Sequence, residues 1–567
     1  MTRTVRRRAA ALAVVAAVAV LTGCGPALPS TVVPDTAITV GWNGELTSLN
    51  AAAAPTPGNI DVAQAIRADF GDIVDGEFIL DEGFGTVSIV AEDPFTVRYD
   101  LAEPSWSDGT PLDAADLLLG WAASAGYFAT ASDAASEIEP DAAPTVPGVD
   151  EFARAIDVEF PHPTNTWQSA VTVPVAAHVV GKRAFGLDDA MEAKQAVIRA
   201  IEKADASALA AIAEVWNNDF TLPEDGGIPA DLLVSSGPFQ VKEVTRADEG
   251  QTVTLVPNPA YRGAVTPQVA WIELVPAGDD PVGAIGESLD IAQVGPVSAN
   301  AARIHEMERR DHAIQTTHDG TVWAVLLAPT GVFTDAAARA AFLRTVPASD
   351  LVDRGGGAWS SAYTATTSVL AAPGSRAFDI VSEDSGFAAA FGKADDSALE
   401  RAAAGVAEGA TVCVLYDRRS EFADGAFAAL REAAGAAGWG VADCGSDDVG
   451  AALDQGGWNA AIVRVPLAQT PADVAALWGS EGAASVTALA DPERDALIAQ
   501  LAQTVDVYEA REVLAQIEAT IVRGAVARPF AANPRVTVLD RDVTGVTARN
   551  GADASLTHSV AQWAVVP

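Results

Sequence analysis

Two short apolar runs, Thr411–Tyr416 and Gly440–Cys444, flank a helix-length stretch, Phe422–Trp439. This reads as a β-α-β unit, and it constrains the fold more than any other feature of the chain. Strands joined through a helix can lie side by side and parallel, and parallel sheets carry helices on their faces. Further strand-like runs at Val322–Ala328, Ala460–Val465 and Val536–Leu539 alternate with Ala-rich helical stretches, including Val505–Val522. In the first half, Ile38–Trp42, Phe78–Val90 and Phe95–Leu101 read as strands. Phe239–Val244 and Thr252–Pro257 read as a pair, followed by Trp271–Val275. Within the helical region Leu187–Trp216, Leu209, Ile212, Ala213 and Trp216 fall on one face at i, i+3, i+4 and i+7. The mixture predicts an α/β fold with more than one sheet. A chain of 567 residues has room for about two to four domains.

The amino terminus says where this fold works. Arg3, Arg6, Arg7 and Arg8 precede an apolar run, Ala9 to Val20, that ends at Leu21-Thr22-Gly23-Cys24. That is the layout of a secretory signal, and the run is short for a membrane span. The Leu-Thr-Gly-Cys stretch resembles a bacterial lipobox. The resemblance implies cleavage before Cys24, lipid on its thiol, and a protein held on the extracytoplasmic face of the cell membrane. The alternative is an ordinary secretory signal with an incidental cysteine. Arg7-Arg8 lacks the rest of a twin-arginine signal. Residues 24–36, rich in proline, read as a tether. The net charge of −41 becomes more negative once the signal arginines leave. A basic surface for nucleic acid is excluded, and an anionic lipid surface repels the chain, so the tether must hold it there.

The other two cysteines, Cys413 and Cys444, close the two strands of the β-α-β unit. An oxidising compartment permits a disulfide there, worth about 3–4 kcal/mol through loop closure; the alternative is two buried thiols. Motifs for catalysis are missing: there is no G-x-S-x-G elbow and no H-E-x-x-H helix. His305 and His312 are placed to share a helix face, but no third ligand completes a metal site. Neither an enzyme nor a cofactor is expected.

Two segments carry more. Ser107-Asp108-Gly109 makes a tight turn, and Asp113 caps a helix whose apolar face includes Leu117, Leu118 and Trp121. The whole run, Trp106-Ser107-Asp108-Gly109-Thr110-Pro111 through Ala114 and Asp116, resembles the W-S-D-G-x-P-x-x-A-x-D signature of the oligopeptide- and dipeptide-binding family. These are substrate-binding lipoproteins of ABC importers (solute-binding protein family 5). Ser236-Gly237-Pro238-Phe239 and Asn258-Pro259-Ala260-Tyr261-Arg262-Gly263 resemble its S-G-P-[FY] and N-P-x-Y-x-G segments. Weaker likenesses follow in order: Glu45 to Asn50, Gly286 to Ile291 (one residue longer than the family pattern), Asp335 to Phe342, and Val543-x-Gly545-Val546.

The resemblance implies a two-lobed, hinged, periplasmic-binding-protein-like fold with an extra α/β subdomain. Lobe I would comprise residues 37–319 and 525–567, with the subdomain at about 51–170; lobe II would comprise 320–524. Hinges would fall near Asp319–Val325 and Ala527–Asn533. It implies a monomer that captures a peptide or related small solute by closure and hands it to a permease. A sensor of the same fold without transport is the alternative, and a lipid-anchored hydrolase a weaker one. Family peptide binders pin the ligand's amine with an aspartate shortly after a tryptophan in the second lobe. Here the stretch after Trp458-Asn459 reads Arg464-Val465-Pro466-Leu467-Ala468-Gln469 and has neither. Arg464 in that place suits an anion or carboxylate. Glu45 matches an acidic residue near the ligand in some members, and Trp323, Trp359 and Trp458 are candidates to line the cleft; each also fits an ordinary surface or core position.

Overall fold

A computed structural model describes residues 29–129, 145–150, 154–223, 227–392, 396–487, 489–552 and 555–566. Cys24 and the signal segment lie outside the described residues. Strand β1 (Val33–Trp42) begins inside the stretch read as tether. Thr31 and Thr36 explain the difference: the Thr31 hydroxyl donates to the Pro267 carbonyl, and the Thr36 hydroxyl accepts from the Ala270 amide. A hairpin follows, β2 (Gly71–Val74) and β3 (Glu77–Leu80). Next come β4 (Gly85–Glu92), β5 (Phe95–Leu101), β6 (Gly148–Asp150) and β7 (Ala155–Glu159), an antiparallel sheet in the order β4-β5-β7-β6.

The main sheet has eleven strands. Its members are β1, β8 (Phe239–Ala247), β9 (Gly250–Pro257), β10 (Val269–Pro276), β11 (Ile291–Val294), β12 (Ala313–Leu327), β13 (Thr364–Ala365), β14 (Thr411–Tyr416), β15 (Gly440–Asp443), β16 (Ala460–Pro466) and β17 (Ala527–Leu539). The order is β15-β14-β16-β12-β17-β11-β1-β10-β9-β8, with β13 also on β17. The β-α-β unit is present: β14 and β15 run parallel, the helix Glu421–Ala436 joins them, and Cys413 and Cys444 form a disulfide with Cα atoms 5.6 Å apart.

Strands β12 and β17 are the longest, and they alone run through both halves of this sheet. Residues 313–318 of β12 pair with 534–539 of β17 beside β11; after a register break, 322–326 pair with 527–532 beside β16. Gly320 sits in the break with φ of +80°, and a Cβ there would lie 2.1 Å from the Ala552 amide, so no other residue fits without moving the backbone. Beyond the break, β12 alternates cleanly. Val322, Ala324 and Leu326 enter one core with Ala461 and Val463; Trp323, Val325 and Leu327 enter the opposite core with Ile462. Burial on both faces explains why these strands read as continuous apolar runs.

The expected helical region 187–216 is two helices, Ala190–Glu202 and Ala206–Glu214. Asp205 accepts from the Ser207 and Ala208 amides and starts the second helix, after Ala204 turns the chain at φ +46°. His312 lies past the end of the helix Ser298–Glu308 and does not share its face with His305.

The tryptophan-centred motif is a buried structural knot. Asp113 caps the helix Ala114–Ser124 in a capping box with Asp116. The Asp116 carboxylate accepts from the Trp106 indole at 3.2 Å, the Ala177 amide at 2.8 Å and Lys194 at 2.9 Å. Lys194, 1% exposed, also reaches Asp113 at 3.1 Å. Burial alone pulls the Lys194 ammonium down, but Asp116 and Asp113 outweigh it and hold it above its ordinary value. Asn258 is buried too, and its amide donates to the Ser235 and Gly237 carbonyls, tying the two later motifs together.

Candidate functional site

In an open α/β sheet, ligands bind beyond the carboxyl ends of the strands. Here the carboxyl ends of β1 and β11 from one half, and of β14 and β16 from the other, all face the register break where β12 and β17 cross. This convergence defines a seam between the two halves.

Asp319, beside Gly320, is its centre. Its carboxylate accepts from Asn533 on β17 at 2.6 Å and from Arg464 on β16 at 3.2 Å. Asn533 in turn accepts the Trp323 indole N–H at 2.8 Å. Phe422 is sandwiched between the rings of Trp323 and Tyr363, with centroids 4.5 and 4.3 Å away. Burial pushes the Tyr363 phenol above its ordinary value; Arg464 draws it back, and Asp319 and Glu421 push it further up. Tyr363 therefore lies within reach of the charges of Arg464, Asp319 and Glu421. Arg464 remains half-exposed, and Asp319 is the one acidic partner it has among the described residues.

Of the residues picked from sequence, Trp323 and Arg464 meet at this seam. Trp323 is buried beneath it rather than lining an open wall: its indole orients Asn533, and the ring packs on Phe422. Trp359 is buried at one end, where its indole donates to the Val297 carbonyl and to Asn300 and its ring stacks on His305. Beside it, Glu421 accepts from the Ser298 amide and hydroxyl, both at 2.9 Å. Glu45 follows β1 with its carboxylate exposed, 3.7 Å from Arg246. Trp458 is not part of the seam. It precedes β16, whose amino end pairs with Leu327, and its indole donates to the Leu453 carbonyl at the far end of the strand. Asp319, Asn533 and Tyr363 were not picked as ligand candidates. Their signal is weak: they lie far apart in sequence, and only the pairing of β12, β13, β16 and β17 joins them.

A groove of about 850 Å³ lies alongside the seam: Gly551 and Ala552 line it and Ala552 packs against Gly320, while Asp319, Arg464, Tyr363 and Asn533 do not line it. Arg67, Asp69 and Arg549 line one side, and Gln469 and Asp473 close it from the other half. Its volume is in the range of pockets that bury small molecules. Among the described residues, no group of three or more His, Cys, Asp or Glu is placed to hold a metal ion, and no helix is long and apolar enough to cross a membrane.

The family model of bacterial extracellular solute-binding proteins, family 5 (middle part), matches residues 86–390. An uncharacterized lipoprotein of Mycobacterium tuberculosis (strain ATCC 25618 / H37Rv) is 26% identical over 292 residues, 48% of this chain and 47% of the relative. The chain thus spans about half the length of the curated relatives it matches. Among solved structures, the periplasmic EDTA-binding protein EppA superposes with a TM-score of 0.72 at 17% identity, over 95% of this chain and 98% of that one. The oligopeptide-binding protein AppA of Bacillus subtilis, in complex with a nonapeptide, superposes with a TM-score of 0.58 at 12% identity, over 94% and 99%. These likenesses establish the two-lobed fold.

Proposed function

The chain belongs to the bacterial extracellular solute-binding proteins of family 5, and from that membership we propose that it is the receptor of an ABC importer, lipid-anchored through Cys24. It captures a peptide or related small solute between two lobes and delivers it to a membrane permease. Lobe I is residues 37–319 with 525–567, lobe II is 320–524, and the subdomain at about 51–170 belongs to lobe I. The hinge is the register break of β12 and β17. The ligand favours the closed state because it touches both lobes.

One observation carries this reading: the strand ends of both halves converge on a half-exposed arginine held by Asp319. A guanidinium fixed on one edge offers its other edge to a carboxylate or another planar anion. The ligand therefore presents an anionic group to Arg464. That a protein of the same fold is named for binding EDTA, a polycarboxylate, agrees with this chemistry.

The test is thermal unfolding of residues 25–567 with di- and tripeptides, amino acids, polycarboxylates including EDTA, sugars and nickel chelates. At about 100 times its Kd a true ligand adds about 2.7 kcal/mol of stability. A rise with carboxylate-bearing solutes supports the assignment. A rise with sugars or uncharged solutes alone contradicts it. For the anchor, Cys24→Ser should move the protein from the membrane fraction to the medium; unchanged membrane retention contradicts lipidation at Cys24.

A further inference from the structure

The β2–β3 hairpin leaves the first lobe and lands on the second. Its tip is Asp75-Gly76-Glu77. The Gly76 amide donates to the Gln469 side chain at 3.1 Å, just beyond the end of β16. Glu77 is clasped by two arginines of the second lobe. Arg511, on the helix Val507–Gly524, donates to Oε1 from both Nε (2.8 Å) and Nη2; Arg376 lies 3.5 Å from Oε2. Arg511 and Glu77 are only 11% and 13% exposed, and the Tyr508 ring packs under the guanidinium at 5.1 Å.

The same tip reaches the crossing strands. Asp75 lies 3.3 Å from Nε2 of His318, the last β12 residue before the register break. His318 Nδ1 accepts from the Gly320 amide at 3.2 Å; Nε2 and the Asp75 carboxylate are close but not hydrogen-bonded. A second strap runs alongside. Asn165 donates to the Ala502 carbonyl through its backbone and to the Thr504 carbonyl through its side chain, both at 2.9 Å. Hairpin and strap enclose a cavity of about 120 Å³.

We propose that this hairpin is a built-in clamp that holds the lobes together without ligand. The proposal rests on the two-lobed, hinged reading above. Glu77 is its jaw, Arg511 and Arg376 are its seat, and Asp75 with His318 couples the tip to the hinge. A carboxylate that is almost buried and engaged by two cations is costly to expose half-paired, so the clamp opens as a unit. The open–closed balance, and hence ligand affinity, is then set by residues the ligand does not touch.

The test needs no ligand. Nitroxide labels at S88C on β4 and A407C before β14 report the interlobe distance by pulsed electron resonance. In the wild-type background the unliganded protein should give one short, narrow distribution. Glu77→Ala and Arg511→Ala should each shift it to longer, broader distances. The charge exchange E77R/R511E should restore the short distance, even if a single variant is poorly folded. Far-UV circular dichroism separates opening from unfolding. An unchanged distribution in a folded Glu77→Ala protein overturns the clamp. If wild type and variants all share one distance, even with charge exchange and with added carboxylates, the hinged reading itself fails. If the wild type is already open and closes only with solute, the hinge stands and the clamp falls.

Discussion

Two regions of this molecule use the same three kinds of side chain to opposite ends. In the knot, a tryptophan, an aspartate and a cation (Trp106, Asp116 and Lys194) are sealed from water. Trp106 and Lys194 are each 1% exposed, and every Asp116 contact is internal. At the seam, Trp323, Asp319 and Arg464 are linked through Asn533, but the Arg464 side chain is 53% exposed. A sealed knot contributes shape: breaking it leaves a buried charge without a partner. A seam with an exposed cation contributes little to stability, because water already solvates it, and keeps a charge available for a ligand. The difference teaches that a dense motif marks where the fold is hardest to alter, while the proposed binding chemistry rests on residues that no motif links.

The largest expected effect lies in the knot. Lys194→Met should cost about 3–5 kcal/mol in urea unfolding, because Asp116 and Asp113 are left buried without their cation. Adding Asp116→Asn and Asp113→Asn, which remove both charges but leave an oxygen for the Trp106 indole and the Ala177 amide, should recover a good part of it. If the single variant is as stable as wild type, the knot is not the constraint described here.

Two carboxyl groups with no ion pair among the described residues, Asp69 at the groove wall and Glu518 in the core, sharpen the contrast. Burial raises Asp69 to about 7, against hydrogen bonds from the Phe70 and Val173 amides and the attraction of Arg67. Burial likewise raises Glu518 to about 7, against hydrogen bonds from Ser368 and the Val369 and Leu370 amides. A folded-state value above the unfolded one means the folded protein holds extra protons from about pH 4 to 7. Stability therefore falls as pH rises through that window, by up to about 1.4 kcal/mol per pH unit for each group. Urea midpoints at pH 5, 6 and 7 measure this slope. Glu518→Gln should flatten part of it, and an undiminished slope in that variant assigns the protons elsewhere.

At the seam the signs reverse. Arg464→Ala should change unfolding stability by less than about 1 kcal/mol. It should weaken binding of a carboxylate ligand at least tenfold, about 1.4 kcal/mol, in a calorimetric titration. Smallest of all, Trp458→Phe should leave affinity unchanged and shift stability by under about 1 kcal/mol, since its ring lies at the far end of β16. A large affinity loss there would move the site away from the seam.

Much of the fold was legible. β14, the Cys413–Cys444 pairing geometry and the buried half of β12 follow from short apolar runs and from two cysteines on neighbouring parallel strands. The polar beginning of β12, residues 313–321, was not, because its side chains are partly exposed and show no apolar run. The join between Ala190–Glu202 and Ala206–Glu214 was missed because alanine continues the helical pattern across it while Asp205 quietly restarts the helix. The site was less legible still. Arg464 was found through the family likeness, whereas Asp319, Tyr363 and Asn533 come together by pairings that span more than one hundred and sixty residues. The Glu77–Arg511 contact left no trace in sequence, since the two are an ordinary acid and base more than four hundred residues apart.

The most direct test of the account titrates one carboxylate ligand, the tightest from the panel, into three proteins under matched conditions: wild type, Arg464→Ala and Lys194→Met. The account predicts that Arg464→Ala stays as stable as wild type but binds at least tenfold more weakly, whereas Lys194→Met, below its lowered unfolding midpoint, binds as wild type does. Equal affinity in wild type and Arg464→Ala would contradict the seam as the place where the solute is held.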